Sequence, residues 1–150
     1  MKGLLTAGGR GTRMRPLTFS SNKHLIPIAN KPLLHYAIEE MVEAGISEIG
    51  INYNPGQLEE LKEKLGTGKQ FGAKFTFILQ DYPGGLAHII KVSEEFLGKD
   101  KFVMHLGDNI FFGGIKKLVE KFEKSGANGM ITMLHHSENS RLGVPYFDKT

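Results

Sequence analysis

Lys2-Gly3-Leu4-Leu5-Thr6-Ala7 runs straight into Gly8-Gly9-Arg10-Gly11-Thr12-Arg13. Six residues are too few for a helix, and two glycines end the run, so residues 2–7 read as a buried strand. A polar, glycine-rich stretch follows over residues 8–30. A loop of that length in a small domain is usually functional. Helical spacing begins after it. Pro32 suits a first helical turn, Leu34, Ala37, Ile38, Met41 and Val42 repeat at three and four residues, and Gly45 stands where a helix ends. Residues 46–53 read as a strand broken by Asn54-Pro55-Gly56. Leu58, Leu61 and Leu65 mark a helix closed by Gly66, and Lys74–Leu79 is a strand. After Pro83-Gly84-Gly85 a third helix is expected, with Leu86, Ile89, Ile90, Phe96 and Leu97 on its apolar face and Gly98 after it. Residues 101–106 read as a strand ended by Gly107-Asp108-Asn109. Ile115, Leu118, Val119 and Phe122 mark a fourth helix closed by Gly126. Residues 130–134 read as another strand, and residues 144–147 as the start of one more.

Strand and helix alternate throughout. That order predicts an α/β, Rossmann-like three-layer sandwich with a mostly parallel sheet, helices on both faces and right-handed crossovers. In such sheets ligands bind at the carboxyl ends of the strands.

The composition of the 150 residues fits this reading. Hydrophobic residues are 40% and charged residues 23%, which excludes a disordered chain. Cysteine is absent, which excludes disulfide scaffolds, thiolate metal sites and cysteine nucleophiles. The apolar runs are too short to span a membrane or to form a signal peptide, so a cytoplasmic protein with no membrane partner is expected. Nineteen basic and 16 acidic residues leave a net charge of +3, dispersed along the chain. That suits a small anionic ligand and argues against nucleic acid. The 19 glycines exceed the usual ~7% and follow no G-x-y repeat, so they belong to loops.

Four places could carry chemistry. Gly8, Gly9 and Gly11 let consecutive backbone N–H groups face an anion, and Arg10 and Arg13 add charged donors for phosphate. The spacing is not G-x-x-x-x-G-K-[ST], and Met14 stands where the dinucleotide fingerprint needs its third glycine, so a dehydrogenase is disfavoured. Lys23 lies in the long loop that follows. Asp108 ends a strand on the phosphate side, where a carboxylate could hold Mg²⁺, although an isolated Asp there also serves as a turn or cap residue. Gln80 ends the Lys74–Leu79 strand on the same edge. Its amide could read a base, and Gly84-Gly85 would let a flat ring approach the backbone. The adjacent His135 and His136 face opposite ways on a strand, and no other histidine has ligand spacing, so no zinc site is assigned.

The order of these signals resembles the sugar nucleotidyltransferases. Residues 5–18, Leu-Thr-Ala-Gly-Gly-Arg-Gly-Thr-Arg-Met-Arg-Pro-Leu-Thr, are similar to the family signature, and residues 23–32 to its second motif. Gln80 through Ala87 looks like the base-recognition segment, residues 106–111 like the metal-binding segment, and Arg141-Leu142-Gly143-Val144 with Phe147-Asp148 like the start of the sugar-binding region. Within the family the likeness is greatest to the thymidylyltransferases acting on glucose 1-phosphate, which also resemble the uridylyl- and adenylyltransferases. The resemblance implies attack of a sugar 1-phosphate on the α-phosphate of dTTP or UTP, with Mg²⁺ and release of pyrophosphate. It implies that Gly8, Gly9, Gly11 and Thr12 hold the nucleotide, Arg13 and Lys23 act on the phosphates, and Asp108 carries the metal. It further implies that Gln80 and Gly85 take the base and that Gly143 touches the sugar. Family members are commonly oligomers. Asn22 and Thr6 depart from the family's usual residues but remove no charge. Family members are also roughly twice as long. A later Glu-Lys pair and a second metal-ligating Asp have no counterpart here, so residues 1–150 are expected to be a nucleotide-binding core that stops before the sugar half is complete. The alternative function is a nucleotide-binding or regulatory module without turnover.

Overall fold

The computed structural model describes residues 1–9, 11, 14–18, 22–135 and 143–146. Among these residues the main sheet has four strands, β1 (Lys2–Thr6), β4 (Glu48–Tyr53), β5 (Lys74–Leu79) and β6 (Phe102–Leu106), in the spatial order β5-β4-β1-β6. All three pairings are parallel, with Leu5 opposite Ile51 on one side and His105 on the other. The chain moves outward from β1 to β4 to β5, then returns to the far side of β1 to lay down β6. The direction of winding therefore reverses between β1 and β6, the place where open α/β sheets form their ligand crevice. A small antiparallel pair, β2 (Pro27–Ile28) with β3 (Lys31–Pro32), and a 3₁₀ turn (Lys23–Leu25) occupy the stretch that reads as one long loop.

The alternation of β1 sends its side chains to two cores. Leu5 and Ala7 join α1 (Leu33–Glu43), α2 (Leu58–Leu65) and α5 (Lys116–Ser125) through Leu34, Ile38, Met41, Leu61 and Val119. Leu4 points the other way, to Ile78, Ile89 and Leu97 beneath α3 (Gly85–Val92) and α4 (Glu94–Leu97). Helices thus cover both faces, as the alternation predicts. Gly3 and Gly50 make room for this packing. A Cβ at Gly50 would stand 2.8 Å from Ile78 and Phe96, and one at Gly3 would stand 2.7 Å from the Met41 sulfur.

Four expectations need correction. The third helix is two, because Ser93 Oγ donates to the Ile89 carbonyl at 2.7 Å and shares its backbone N–H between Ile89 and Ile90. Such back-bonding bends a helix. Leu86 is exposed rather than part of a continuous apolar face. Residues 130–134 form no strand. They are exposed, and no described strand pairs with them. A strand needs a ladder partner as well as β-favouring residues. Residues 143–146 are likewise outside any strand, and Phe147 lies outside the described residues. Helix α1 begins at Leu33, so Pro32 caps it from outside rather than filling its first turn.

Candidate functional site

The carboxyl ends of β1 and β6 are joined beyond their ladder. The Gly107 N–H reaches the Thr6 carbonyl at 3.1 Å and the Thr6 hydroxyl at 3.3 Å. The approach leaves no space for a side chain, since a Cβ at Gly107 would lie 2.3 Å from the Thr6 carbonyl oxygen and 2.6 Å from Leu34. This close contact delivers Asp108 to the loop that follows β1.

Lys23 enters the same space from the 3₁₀ turn. Its side chain passes under the glycine loop, where a Cβ at Gly9 would meet Lys23 Cε at 2.9 Å and one at Gly11 would meet Lys23 Cβ at the same distance. Gly11 also has φ +56°, a conformation suited to glycine. The Lys23 ammonium ends 2.5 Å from Asp108 Oδ2, with both side chains partly open to solvent. Burial pushes the Asp108 carboxyl up, but the Lys23 hydrogen bond, the Lys23 charge and the His24 ring outweigh it, and the net displacement is downward. Asp108 is therefore anionic at neutral pH.

The turn that carries Lys23 is tied to β1 by residues that sequence reading passed over. Asn22 Nδ2 donates to the Ala7 carbonyl at 2.9 Å, which sets Oδ1 toward His24. There Oδ1 accepts the His24 backbone N–H at 3.0 Å and lies 2.9 Å from Nδ1, so Nδ1 carries a proton. The His24 ring lies between the backbones of Gly9 and Gly107 and is 1% exposed. Burial first, and the Lys23 charge second, lower its pKa to about 4 against the opposing pull of Asp108 and Ala7.

A second buried device holds the Asp108 loop. Glu40 of α1 accepts the Phe111 N–H at 2.9 Å through Oε1, and its Oε2 lies 2.9 Å from His105 Nε2. His105 Nδ1 lies 2.8 Å from the Leu106 carbonyl. A carbonyl can only accept, so Nδ1 holds a proton, and one further proton lies between Nε2 and Glu40. Residues 106 and 111 are thus fastened to one buried carboxylate across the loop that bears Asp108. A charged residue facing inward from α1 and a histidine within a strand were the available signals in the sequence.

Gln80 extends from the end of β5 on the same edge, its backbone N–H bonded to the Tyr53 carbonyl at 2.8 Å. It is buried, and its side chain touches Gly85 and His88. The flat ring against the glycine pair belongs to His88, which packs on Gly84, while the space at Gly85 is open. Adjacent strands are ~4.8 Å apart, so three spacings place Gln80 about 14 Å from Asp108 along one sheet edge.

Gly9, Gly11, Lys23 and Asp108 therefore converge, Gly8 faces Asn54 at the end of β4, and Gln80 with Gly85 lies farther along the edge. Arg13 and Thr12 lie outside the described residues. Gly143 is exposed, and a Cβ there would meet nothing within 4 Å. Among the described residues no three His, Cys, Asp or Glu side chains cluster as a metal site. Asp108 offers a hard anionic oxygen beside Lys23. One carboxylate fits a Mg²⁺ ion whose other ligands are phosphate oxygens and water.

The family model described as nucleotidyl transferase matches residues 2–150. The low-salt glycan biosynthesis nucleotidyltransferase Agl11 of Haloferax volcanii is 48% identical over 99% of this chain and 42% of its own length. A glucose-1-phosphate thymidylyltransferase of Streptomyces griseus is 40% identical over 96% of this chain and 40% of its own. The chain thus spans less than half the length of these relatives. Among solved structures, a Bacillus anthracis protein assigned as a glucose-1-phosphate thymidylyltransferase, in complex with sucrose, superposes with a TM-score of 0.80 at 37% identity, covering 84% of this chain and 51% of that one. A UDP-glucose pyrophosphorylase complexed with UDP-glucose gives 0.68 at 28%, covering 82% and 53%. With a family match across nearly its whole length and relatives up to 48% identical, the chain belongs to the nucleotidyl transferase family.

Proposed function

We propose that this chain forms the nucleotide-binding core of a sugar nucleotidyltransferase that uses dTTP or UTP and a sugar 1-phosphate, glucose 1-phosphate in the first instance. The observation that carries the reading is the Lys23–Asp108 pair held under the Gly8-to-Gly11 loop. It sets a cation and a candidate metal ligand side by side where phosphates would lie. A phosphate oxygen of the sugar phosphate bonds to the α-phosphorus, the bond from that phosphorus to the bridging oxygen breaks, and pyrophosphate leaves. No covalent enzyme intermediate is required, so catalysis is positioning and charge neutralisation. Backbone N–H groups at Gly8, Gly9 and Gly11, with Thr12, hold the phosphates. Lys23 lies between the reacting groups, and Arg13 neutralises the departing pyrophosphate. Mg²⁺, when bound at Asp108, withdraws charge from the phosphate oxygens. Gln80 and Gly85 take the base, which a span of about 14 Å along the edge accommodates, and Gly143 meets the sugar. The cytoplasm supplies these substrates, and an oligomer is the expected assembly.

The test is pyrophosphate release with each component omitted in turn. Release that needs dTTP or UTP, glucose 1-phosphate and Mg²⁺ together is the expected result. Nucleotide binding without release would identify a binding or regulatory module instead. Binding of NAD but not dTTP would sink both readings.

A further inference from the structure

The amide of Gln80 is held in one orientation, and the residue that completes the hold is His88. Gln80 Nε2 lies 3.2 Å from the Gly85 carbonyl oxygen and 3.2 Å from His88 Nδ1. A carbonyl oxygen carries no proton, so the atom facing Gly85 must be the amide nitrogen. That nitrogen has two hydrogens. The second points to His88 Nδ1, which accepts it when the imidazole keeps its own proton on Nε2. Both hydrogens are then spent within the protein. What Gln80 retains for a ligand is Oε1, an acceptor with no proton to give.

The imidazole is itself fixed in place. It stacks on the Tyr82 ring at 4.2 Å between centroids and 28° between planes. It also lies against the Gly84 backbone, where a Cβ would stand 2.7 Å from His88 Cγ and 2.8 Å from Nδ1. Glycine at 84 is what admits the ring. Gly85, at φ +82°, turns the chain into α3, so that His88 returns over Gln80 one turn later. Tyr82, Gly84 and His88 thus form a support behind the amide.

Resting on the reading above that Gln80 meets the base, we infer that His88 is a specificity-positioning residue that makes the site selective for pyrimidines carrying an N3–H imide, thymine or uracil, over cytosine. An imide offers a proton at N3, which Oε1 can accept. Cytosine offers a lone pair at N3, which faces the lone pairs of Oε1. A buried site built for one hydrogen-bond polarity rejects the other, because the mismatch leaves polar groups unpaired. Without the His88 acceptor only the Gly85 carbonyl opposes a flip of the amide, so Gln80 turns Nε2 toward the N3 of cytosine at a lower cost.

The experiment measures dTTP and dCTP binding to the chain by calorimetry in Mg²⁺. The wild type should prefer dTTP by about tenfold or more. His88→Phe, which keeps a ring on Tyr82 but removes the acceptor, should bring the two affinities to within about threefold, mainly by admitting dCTP. His88→Asn, whose Oδ1 can replace Nδ1 as acceptor, should keep most of the preference. An unchanged preference in His88→Phe, an equal weakening of both nucleotides, or a collapse in His88→Asn as complete as in His88→Phe would overturn the inference. Gln80→Leu separates it from the reading beneath. If Gln80→Leu abolishes the preference and His88→Phe does not, Gln80 reads the base and His88 has no part in it. If Gln80→Leu changes nothing, or the wild type binds neither nucleotide or shows no preference, the assignment of Gln80 to the base fails and the role of His88 fails with it.

Discussion

His24 shows how one side chain can support a site without touching a ligand. Its pKa in the fold is about 4, against 6.5 in an unfolded chain. Between those values the unfolded chain binds a proton that the fold refuses, so stability rises with pH across that window. It is fully present above pH 6.5 and is lost as pH falls toward 4. The full difference corresponds to about 3 kcal/mol. Melting temperatures between pH 4 and 7 should therefore climb steeply with pH, and His24→Gln should flatten the climb; equal slopes would show that His24 is not the group responsible. Lys23→Ala should act on chemistry instead. The ion pair is partly exposed and is worth at most about 1 kcal/mol, so the fold should persist. Pyrophosphate release by the active enzyme should fall on the order of 100-fold or more. Activity within a few-fold of wild type would remove Lys23 from the mechanism. Lys23 and Asp108 are legible in sequence because a charge beside a strand end or glycine loop is conspicuous. Asn22 and His24 are not, because their roles exist only once the turn closes onto Ala7.

At the level of elements, strands and helices with one apolar face read correctly from spacing, as β5 and α2 show. The failures have specific causes. Ser93 looks like a polar residue on a helix surface until its hydroxyl takes the Ile89 carbonyl and divides α3 from α4. Residues 130–134 carry β-favouring side chains, yet no described strand pairs with them. Glu40 and His105 each stand out as polar residues at inward positions, but spacing cannot pair them because they are 65 residues apart. It yields a discriminating pair of variants. In Glu40→Gln, Oε1 can still accept from Phe111 while Nε2 donates to a neutral His105, so every polar atom keeps a partner. Urea denaturation should place this variant within about 1 kcal/mol of wild type. Glu40→Leu strands both the Phe111 N–H and the His105 ring, and it should cost about 2–4 kcal/mol. Equal losses in the two would mean that volume, not hydrogen bonding, decides this position.

Across the whole molecule, the alternating order of strands and helices predicts a mostly parallel sheet with helices on both faces, and the described strands form one. Which strand returns to flank β1 was not predictable from spacing, because every parallel strand presents similar residues to its neighbours. The reversal between β1 and β6 joins segments from residues 3–9 and 102–108 into one surface, and a ligand bound there bridges the two ends of the sheet sequence. Nucleotide should therefore stabilise the entire fold. At 100 times its dissociation constant, dTTP with Mg²⁺ adds about 2.7 kcal/mol, which for a domain of this size raises the melting temperature by about 5–10 °C. The shift should shrink on chelation of the metal and in Asp108→Asn. A melting temperature indifferent to nucleotide would show that no such bridge forms.

The position of β1 also sets a timetable for synthesis. Its partner on one side pairs Gly3 with Ile49, but its partner on the other pairs Lys2 with Phe102. As the chain leaves the ribosome N-terminus first, β1 can find β4 once about a third of the chain is out, whereas its opposite edge waits for some fifty residues more. Closing the longer loop adds only about 0.7 kcal/mol of entropy, so the delay comes from translation and not from thermodynamics. During that interval β1 presents an open row of backbone donors and acceptors, the kind of edge that recruits other chains. Among the described strands β6 is the last to arrive, and a nascent chain stalled before residue 102 would expose that edge of β1 while still lacking Asp108 and the crevice beside it.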